Sequence, residues 1–417
     1  MNAHAKRQKQ LTAEFQARFQ SAPTLCARAP GRVDLMGSHT DYNLGCVLTL
    51  PIDRDTWIVA RLRTDRIVRL YSRNLDDEQS FSLDELNAAG WRGWINYARG
   101  VATVLQAAGF LLRGFDGLIH STVPMSSGLS SSAALECAIA TVFEAIGGWK
   151  LDPVEKARFC QQAENEFVGV SCGILDQYTS CAGHEGCALL LNCRDLSSRP
   201  VKLGADIRVV ICDTKFKREL TGSEYGQRRA QCEEGARRLG IKALGAMSLR
   251  EFDARASELP TEVAKRCRFI IEENDRVRQI AQALTTADHK AIACLTADSF
   301  RGACELYEIG TPAMQSMMKA MMAATGVIGA RQAGAGFGGC MVAFVQQNKV
   351  EDFAASVRDW YSSASGTTPD VYSVEAVAGA GLLALPTSGL AATYHNACHD
   401  SPSPRAHAIN PDYRSDK

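Results

Sequence analysis

Apolar and polar residues follow two different rhythms along this chain. Over residues 25–125, short runs rich in β-branched and aromatic residues alternate with turn residues, which is typical of strands. From residue 223 to about residue 325, apolar residues recur three and four positions apart, which predicts a nearly all-helical stretch. A mixed α+β protein is therefore expected. The predicted strands are 46–52, 56–62, 67–71, 117–123, 187–192, 207–213, 340–345 and 371–377, and the predicted helices are 1–20, 94–108, 133–147, 152–168 and 350–363.

Composition divides the chain into four segments. Residues 1–20 are polar and mildly amphipathic, which predicts a short helix outside the fold or at its edge. A turn-forming Ser-Ser-Arg-Pro stretch near residue 200 predicts the boundary between an N-terminal domain, 21–200, and a C-terminal domain, 201–386. Beyond that point Ser, Pro, His and Asn replace large apolar residues, so we expect a disordered tail over 387–417.

The charge balance and the cysteines narrow the classes of function. The 46 basic and 46 acidic residues cancel, so nothing favours bulk attraction to nucleic acid or to an anionic membrane. The 15 cysteines are scattered, without Cys-x-x-Cys pairs or zinc-type spacing, which indicates reduced thiols. No apolar run approaches the ~18 residues that span a bilayer. We expect a cytoplasmic protein, a monomer or a weak homo-oligomer, with no nucleic-acid or membrane partner.

The most informative stretch is a Gly/Ser loop, residues 123–132, between a predicted strand and the alanine-rich helix that follows. Such a loop points several backbone N–H groups at one place, at the positive end of the helix dipole, and this geometry binds phosphate. No Gly-Lys-Ser/Thr follows, so the loop is not a Walker A motif. An ordinary capped turn is the alternative. The candidate phosphate-binding residues are Pro124, Ser126, Ser127, Gly128, Leu129, Ser130, Ser131, Ser132 and Ala133.

A second glycine-rich stretch, residues 333–340, matches the Gly-x-Gly-x-x-Gly dinucleotide fingerprint. A dinucleotide loop must leave a strand and open a helix, whereas this one is predicted to leave a helix and enter a strand. The acidic residue at the expected distance, Asp359, falls within a predicted helix. We therefore expect a tight backbone turn that brings Gly334 and Gly336 close to the Gly/Ser loop and its ligand, and a packing turn is the alternative.

A third stretch, residues 28–45, packs arginine, histidine and aspartate side chains into a segment broken by Gly and Pro. Polar residues in such a loop suit a small polar ligand, and a hydrogen-bonded turn is the alternative. In chain order, the three stretches resemble the three motifs of the GHMP kinases, the small-molecule kinases named for galactokinase, homoserine kinase, mevalonate kinase and phosphomevalonate kinase. Residues 31–43 resemble the galactokinase-family signature Gly-Arg-Val-Asn-Leu-Ile-Gly-Glu-His-Thr-Asp-Tyr-Asn, and residues 163–177 and 222–229 extend a resemblance that spans residues 21–385.

The resemblance implies an α+β, two-domain GHMP kinase fold. Its N-terminal domain would be ribosomal S5 domain 2-like, and its C-terminal domain would be ferredoxin-like with helical additions. The resemblance also implies transfer of the γ-phosphoryl group of Mg-ATP to the anomeric hydroxyl of galactose, giving galactose 1-phosphate and ADP. ATP and Mg²⁺ would lie against the Gly/Ser loop, and the sugar would lie between the domains.

Matching the family motifs position by position gives the expected roles of individual site residues. Asp176 matches the catalytic aspartate that accepts or orients the proton of the anomeric hydroxyl, and Arg32 matches the arginine that keeps this carboxylate ionised. Ser132 and Glu164 match the ligands of Mg²⁺, which prefers hard oxygen donors. The sugar is expected to contact Ser38, His39, Asp41, Gly173, Asp176 and Tyr225.

Two polar positions depart from the galactokinase-family signature. Ser38 stands where the family has a glutamate that accepts a bond from the 6-hydroxyl of galactose, and Asp34 stands where it has an asparagine. Losing a bond to a charged acceptor costs about 1.5–3 kcal/mol, so the C6 end of the sugar is expected to differ from galactose or to be bound loosely. The alternative substrates are arabinose and a sugar acid, galacturonate, paired by Lys215, Lys217 or Arg218.

Other classes of function compete with a galactokinase. A sensor that binds sugar and ATP without turnover would have lost part of the Gly/Ser loop or Asp176, and both are present. A nucleotide-dependent oxidoreductase rests only on the glycine fingerprint, which stands in the wrong context. A kinase for mevalonate or homoserine would not need the His-Thr-Asp-Tyr segment that begins at His39.

Overall fold

Two β-sheets and the helices packed on them organise the chain. The computed structural model describes residues 3–86, 93–125, 127–169, 172–216 and 223–385. Its helices are α1 (Ala3–Phe19), α2 (Ile95–Ala107), α3 (Ser131–Gly147), α4 (Pro153–Ala163), α5 (Leu175–Ala182), α6 (Ser223–Arg238), α7 (Leu249–Arg255), α8 (Thr261–Thr286), α9 (His289–Glu305), α10 (Pro312–Ala323) and α11 (Val350–Ser365). Its strands are β1 (Leu25–Met36), β2 (Cys46–Leu62), β3 (Ile67–Ser72), β4 (Asp77–Ser82), β5 (Phe115–Ser121), β6 (Cys187–Asn192), β7 (Ser198–Lys202), β8 (Ile207–Asp213), β9 (Val327–Gln332), β10 (Cys340–Gln346), β11 (Asp370–Val374) and β12 (Gly381–Leu383).

The first sheet has eight strands in the order β12-β1-β2-β5-β3-β4, with β6 paired to β2 and β7 paired to β6. Side chains alternate between the faces of a strand, so Ile58 faces one core and Trp57 faces another. Helices α2 to α5 cover the first face. Helix α1 covers the second face with Leu11 and Phe15, which are fully buried. The N-terminal helix therefore packs on the sheet, so of the two expected placements, outside the fold or at its edge, the first is wrong.

The second sheet is antiparallel, in the order β11-β8-β10-β9. Helices α10 and α11 cover one face, where Met317 and Phe353 belong to the same cluster as Cys212. The other face shares one core with α8, α9 and the first sheet, including Ile211 and Val277. Because both sheets contribute to this core, the loops at their junction are held against each other.

Strand β7 ends the first sheet before β8 begins the second, while β12 returns from the end of the described chain to pair with β1. The domain boundary near residue 200 stays a prediction. The expected disordered tail, 387–417, lies outside the described residues. In the described ranges, every helix is too short or too polar to cross a lipid bilayer.

The predicted strands 46–52 and 56–62 form one strand of 17 residues, β2. The buried polar residue between them, Asp55, is compatible with a strand because it is paired. Asp55 Oδ1 lies 2.5 Å from Arg7 Nη1, and Asp55 Oδ2 lies 2.7 Å from Arg28 Nε. Helix α1 therefore supplies the charge that lets a buried carboxylate stand in the middle of the sheet.

Half of the polar segment 28–45 is strand, whereas the sequence indicates a loop. Its first part forms β1, which pairs with β2 and has register shifts between Pro30 and Arg32 and between Asp34 and Met36. The pairing is regular from Arg32 to Asp34, so these two side chains, two residues apart, lie on the same face of the sheet. That face borders the junction of the two sheets.

Candidate active site

A cavity of about 530 Å³ opens where β1, the Gly/Ser loop, the start of α5 and the β9–β10 turn meet. Most of the candidate residues contribute to its wall, which includes Arg32, Asp34, Ser38, His39, Asp41, Gly128, Ser130, Ser131, Ser132, Glu164, Gly173, Asp176, Tyr225 and Gly334. Within the described ranges, the other candidates do not line the cavity, namely Pro124, Ser127, Leu129, Ala133 and Gly336. Ser126 lies outside the described residues.

Asp176 lies in the first turn of α5, with 25 % of its side chain exposed. Its Oδ1 accepts a hydrogen bond from Arg32 Nε at 2.8 Å and lies 2.5 Å from Arg32 Nη2. Its Oδ2 accepts a hydrogen bond from Ser130 Oγ at 2.5 Å. Arg32 Nη1 also donates to the Gly128 carbonyl oxygen at 2.6 Å. One guanidinium group thus ties the carboxylate to the Gly/Ser loop.

The Gly/Ser loop reaches α3 through left-handed backbone conformations at Gly128 and Ser130, with φ of 79° and 62°. The Ser130 side chain does not cap α3, because its hydroxyl is bonded to Asp176. Ser131 and Ser132, the first residues of the helix, line the cavity. A helix N-terminus that opens into a cavity without a capping side chain is typical of phosphate-binding sites.

The glycine-rich turn joins β9 to β10 in a hairpin. It therefore leaves a strand, and the expectation that it leaves a helix is wrong. It still enters a strand, which is incompatible with a dinucleotide loop. The Cys340 N–H donates to the Ser127 carbonyl oxygen at 3.3 Å, and a Cβ on Gly334 would lie 3.3 Å from the Gly128 carbonyl oxygen. The turn thus packs against the Gly/Ser loop.

A buried acidic cluster lies beside the phosphate-binding loop. Gln177 Nε2 donates to Glu164 Oε2 at 2.5 Å and to Glu136 Oε2 at 3.0 Å, and Ser132 is hydrogen-bonded to Glu164. Burial, followed by the charge of Asp176, raises the pKa of Glu164. Burial and the charge of Glu164 raise the pKa of Glu136 well above its usual range, which favours its protonated form.

Ser132 and Glu164 are close enough to share a ligand, as a magnesium site requires. Their hydroxyl and carboxylate oxygens are hard donors, and Mg²⁺ is usually held by one or two such groups together with substrate phosphates. Among the residues that the structure describes, no group of three or more His, Cys, Asp or Glu side chains is arranged to hold a metal ion. The pair therefore fits a cation that is shared with phosphate, and not a site made by protein alone.

His39 lines the same cavity as Asp176 and has a left-handed φ of 65°. Its Nε2 lies 2.9 Å from the Ala335 carbonyl oxygen, which can only accept, so Nε2 carries the hydrogen. Its Nδ1 lies 2.8 Å from the Tyr42 hydroxyl, which lies 2.9 Å from the Tyr307 hydroxyl. The Tyr225 ring packs 5.3 Å from the His39 ring, centroid to centroid. This part of the cavity wall is thus formed by a histidine whose ring is held in place by contacts with tyrosine side chains.

Asp41 packs directly on Gly173, where a Cβ would lie 1.8 Å from Asp41 Oδ2. Only glycine leaves room for the carboxylate at this position. Burial, together with the charges of Asp176 and Asp34, raises the pKa of Asp41 to about 6. Part of the Asp41 surface stays open to the cavity, so a ligand there would contact a carboxylate that titrates near neutral pH.

Asp34 and Ser38 form a nearly closed end of the cavity, each with 2 % of its surface exposed. Ser38 Oγ donates to Asp34 Oδ2 at 2.8 Å and accepts from Arg331 Nη2 at 2.9 Å. Arg331 is fully buried and also donates to Glu273 Oε1 at 2.8 Å. This end of the cavity is therefore anchored to β9 and α8.

Of the basic residues expected to pair a sugar acid, the structure describes Lys215, and this residue does not line the cavity. Lys215 contacts Asp370 and lies 3.5 Å from Asp213 Oδ2, at the edge of the second sheet and away from the cavity wall. The expectation for Lys215 is therefore wrong, because its ammonium group is already paired at the edge of the sheet. Lys217 and Arg218 lie outside the described residues.

Four polar residues at the site escaped the sequence analysis. Gln177 directly follows Asp176, so its position was a signal. Glu136 interrupts an otherwise apolar, alanine-rich helix, and a lone carboxylate in such a helix is also a signal. Arg331 stands just before the glycine-rich turn. Glu273 lies in the charge-rich helix α8, where nothing in the sequence marks it.

Family models match both halves of the chain. The GHMP kinases N terminal domain matches residues 96–184, and the GHMP kinases C terminal domain matches residues 280–363. The galactokinase galactose-binding signature matches residues 13–62. Together with the two sheets and the loop that opens α3, these matches define the class of protein as a GHMP kinase.

Relatives in sequence show to which family of GHMP kinases the chain belongs. The galactokinase of Roseiflexus sp. (strain RS-1) is 41 % identical over 377 residues, which cover 89 % of this chain and 96 % of that protein. The galactokinase of Chloroflexus aggregans is 42 % identical over 361 residues, which cover 85 % of this chain and 93 % of that protein. The chain therefore belongs to the galactokinase family.

Solved structures agree with this assignment. The galactokinase of Lactococcus lactis, crystallised with galactose, matches with a TM-score of 0.87 at 33 % identity and covers 90 % of this chain and 99 % of its own. The mevalonate kinase of Methanococcus jannaschii has a TM-score of 0.61 at 17 % identity, covers 86 % of this chain and 99 % of its own, and shares the fold alone. The predicted α+β GHMP kinase fold and the predicted enzyme class, an ATP-dependent sugar kinase, are confirmed.

Proposed function

We propose that this protein transfers the γ-phosphoryl group of ATP to the anomeric hydroxyl of galactose, giving galactose 1-phosphate and ADP. The observation that carries the proposal is the Asp176 carboxylate, held by Arg32 and Ser130 at the cavity wall beside the Gly/Ser loop. Phosphoryl transfer requires a bound phosphate next to a group that positions the acceptor hydroxyl. Galactose is supported as acceptor by the names of the relatives and by the Lactococcus lactis complex.

Asp176 is the group that receives or orients the proton of the attacking hydroxyl. Both of its oxygens are already held, Oδ1 by Arg32 and Oδ2 by Ser130, so the carboxylate is fixed in place before a substrate enters. Phosphoryl transfer depends on such positioning and on charge compensation. Arg32, which also reaches the Gly128 carbonyl oxygen, supplies positive charge between the carboxylate and the transferring group.

ATP would lie with its phosphates against Gly128 and the first turn of α3. Ser132 and Glu164 are the residues that would hold Mg²⁺, and Gln177 keeps Glu164 in place through a hydrogen bond of 2.5 Å. When bound, this cation offsets the negative charge of the phosphates. The N–H groups at the start of α3 add a fixed positive potential at the same place.

The sugar would lie along the wall from Asp176 to Ser38. Asp41 accepts hydroxyl hydrogens in its ionised form, and Gly173 makes room for it. His39 and Tyr225 line the same cavity, with rings that shape it to a flat polar ligand. The predicted sugar contacts thus surround one volume, which supports their roles.

The end of the cavity at Ser38 favours galactose over the alternative sugars. A carboxylate at C6, as in galacturonate, would face the Asp34 carboxylate, and like charges in a buried site repel. Arabinose has no C6 and would leave the polar groups of this end without a partner, which selects against it. A sensor without turnover is disfavoured because Asp176 and Arg32 are not only present but paired.

An ADP-release assay with Mg-ATP tests the proposal against galactose, galacturonate, arabinose, N-acetylgalactosamine and glucose. We expect turnover with galactose, and a loss of about 10²- to 10⁴-fold in kcat for Asp176→Asn, the range for a general base. Asp116→Asn is the matched control, because Asp116 Oδ1 is paired with Arg63 and Arg69 at 2.8 Å on the first sheet, away from the cavity. Turnover with another sugar alone, or equal losses in both variants, would contradict the proposal.

A cytoplasmic location and a monomeric or weakly homo-oligomeric state remain part of the proposal, as does the lack of nucleic-acid and membrane partners. The balanced charge of the chain supports the lack of nucleic-acid and membrane partners. Light scattering of the eluting peak in size-exclusion chromatography measures the oligomeric state directly. A stable assembly of four or more copies would contradict it.

A further inference from the structure

The two departures from the family signature are opposite in charge. The signature has asparagine and glutamate where this chain has Asp34 and Ser38, so one carboxylate is lost and another is gained four residues earlier. The two side chains are in direct contact, since Ser38 Oγ donates to Asp34 Oδ2 at 2.8 Å. The paired exchange therefore moves a carboxylate within one small site and leaves the charge of the segment unchanged.

Arg331 explains why a carboxylate is retained here. Its Nη2 lies 2.8 Å from Glu273 Oε1, and its Nη1 lies 3.6 Å from Asp34 Oδ2, with all three side chains almost fully buried. Glu273 is also paired with Arg276, at 2.9 Å. Without Asp34, the guanidinium group of Arg331 would keep only a carboxylate that it shares with a second arginine, and a buried cation needs compensation.

Asp34 has an acceptor oxygen available for a ligand, whereas most of the hydrogen-bonding capacity of Ser38 is already used. The single hydroxyl hydrogen of Ser38 is donated to Asp34, and Arg331 takes one of its lone pairs. Asp34 lines the cavity, and its Oδ1 atom has almost no exposed surface and no hydrogen-bond partner among the described residues, so a small side-chain movement would open it to a ligand. A buried carboxylate oxygen without a partner is unfavourable, and a donated hydroxyl hydrogen satisfies it.

We propose that Asp34 determines sugar specificity at the end of the cavity away from Asp176, by accepting a hydrogen bond from the C6 hydroxyl of galactose. Ser38 is then a positioning residue that holds Asp34 against Arg331. The inference rests on the proposed function, in which galactose is the acceptor. No bond is made or broken in this step, because recognition consists of one hydrogen bond to a buried carboxylate.

The test compares kcat/KM for galactose and for 6-deoxygalactose, which differs only by the C6 hydroxyl. The wild-type protein should prefer galactose about ten- to a hundredfold, the range for a bond to a charged acceptor. Asp34→Asn keeps the shape and removes the charge, and it should lower this preference to a few-fold. Ser38→Ala should retain most of the preference, because it removes only the positioning contact.

The exchange itself is tested by the double variant Asp34→Asn with Ser38→Glu, which restores the signature pair. It should regain the preference that Asp34→Asn loses, whereas Ser38→Glu alone places two carboxylates together and should weaken galactose binding. A purely structural role for Asp34 would change stability or kcat equally for both sugars and leave their ratio unchanged.

The inference is overturned if Ser38→Ala abolishes the preference while Asp34→Asn keeps it, or if the wild-type protein uses both sugars equally well. If Asp34→Asn does not fold, the double variant carries the test, since it keeps one carboxylate beside Arg331. A folded double variant without preference would then also overturn it. Failure of the proposed function is distinct, because the wild-type protein would not turn over galactose at all.

Discussion

The two ends of the cavity are built in different ways. At the reaction end, Asp176 is one-quarter exposed and is held by Arg32, from a strand of the first sheet, and by Ser130, from the Gly/Ser loop. At the recognition end, Asp34 is 2 % exposed and depends, through Arg331, on the second sheet and α8. The reaction end is open to solvent, whereas the recognition end is closed and is built from residues of both sheets.

This difference indicates which end of the cavity determines the reaction rate and which determines sugar selectivity. The open end must admit a nucleotide and release another, so it uses a fixed carboxylate and an uncapped helix N-terminus. The closed end can reject a wrong sugar, because a buried polar group left without a partner is costly. Changes at the reaction end should therefore lower kcat, and changes at the recognition end should alter KM and sugar preference.

After Asp176→Asn, the largest effect is expected at Arg32. Arg32→Lys keeps the charge, but one ammonium group does not reproduce the fork that contacts both Asp176 and the Gly128 carbonyl oxygen. We expect kcat to fall by about 10²- to 10³-fold, as for loss of one donor that stabilises a transition state. Steady-state kinetics with galactose and ATP measure it.

Arg69→Lys is the control for that substitution, because Arg69 pairs with Asp116 at 2.8 Å on the first sheet and does not line the cavity. Its kcat should match that of the wild-type protein. A rise in the galactose KM of Arg32→Lys with unchanged kcat would show that Arg32 serves binding alone.

The next effect concerns Gly173. In Gly173→Ala the new methyl group would lie 1.8 Å from Asp41 Oδ2, so the carboxylate must move. A displaced carboxylate loses its hydrogen bond to a sugar hydroxyl, which costs about 1.5–3 kcal/mol and corresponds to a rise of about 10- to 150-fold in the galactose KM. Gly381→Ala is the control, since a Cβ at Gly381 meets no atom within 4 Å. Equal KM values for the two variants would be evidence against a sugar contact at Asp41.

A smaller effect is expected from pH. Burial raises the pKa of Asp41 to about 6, so the carboxylate is ionised at pH 7 and takes up a proton as the pH falls below about 6. The protonated form is a poorer acceptor, so the galactose KM should rise about tenfold between pH 7 and pH 5, as for a single titrating group. Protonation also relieves the cost of burying the charge, so the fold is not weakened by it.

Asp41→Asn should remove this pH dependence while raising the KM at pH 7. The galactose KM of both proteins is measured from pH 5 to pH 8 in buffers of constant ionic strength. A wild-type KM that does not change over this range would contradict the assignment of the titration to Asp41.

The smallest effect is expected at Glu136. Because burial and the charge of Glu164 favour its protonated form, Glu136→Gln replaces one neutral hydrogen-bonding group by another. We expect a change of less than about 1 kcal/mol in the free energy of unfolding and little change in kcat. Glu164→Gln is the comparison and should raise the Mg²⁺ concentration needed for half-maximal rate. Equal effects of the two substitutions would place both carboxylates in the same role.

The reaction end could be predicted from the sequence because its residues stand in short motifs with a local physical meaning. The Gly/Ser loop opens a helix, and this arrangement alone indicates phosphate binding. Strand β1 was harder to predict, because its buried charges are compatible with a strand only through distant partners, as when Arg28 pairs with Asp55 of β2. The sequence shows the charges but not their partners.

The recognition end could be predicted only in part. Ser38 and Asp34 were visible as departures from the signature, but their meaning depends on Arg331, 293 residues after Ser38. Glu273 reaches the same guanidinium group from α8. Nothing in the local pattern of either segment brings these side chains together, since the contact arises only when the two sheets share one core.

The most direct test of a galactose 1-kinase is the position of the phosphate in the product. The wild-type protein is incubated with galactose and Mg-ATP, and the product is examined by phosphorus NMR, with Asp176→Asn as control. We expect a phosphate coupled to the anomeric proton, absent from the control over the same time. Phosphate on the C6 oxygen, or ADP formed without a sugar phosphate, would contradict the orientation of the sugar with its anomeric hydroxyl at Asp176.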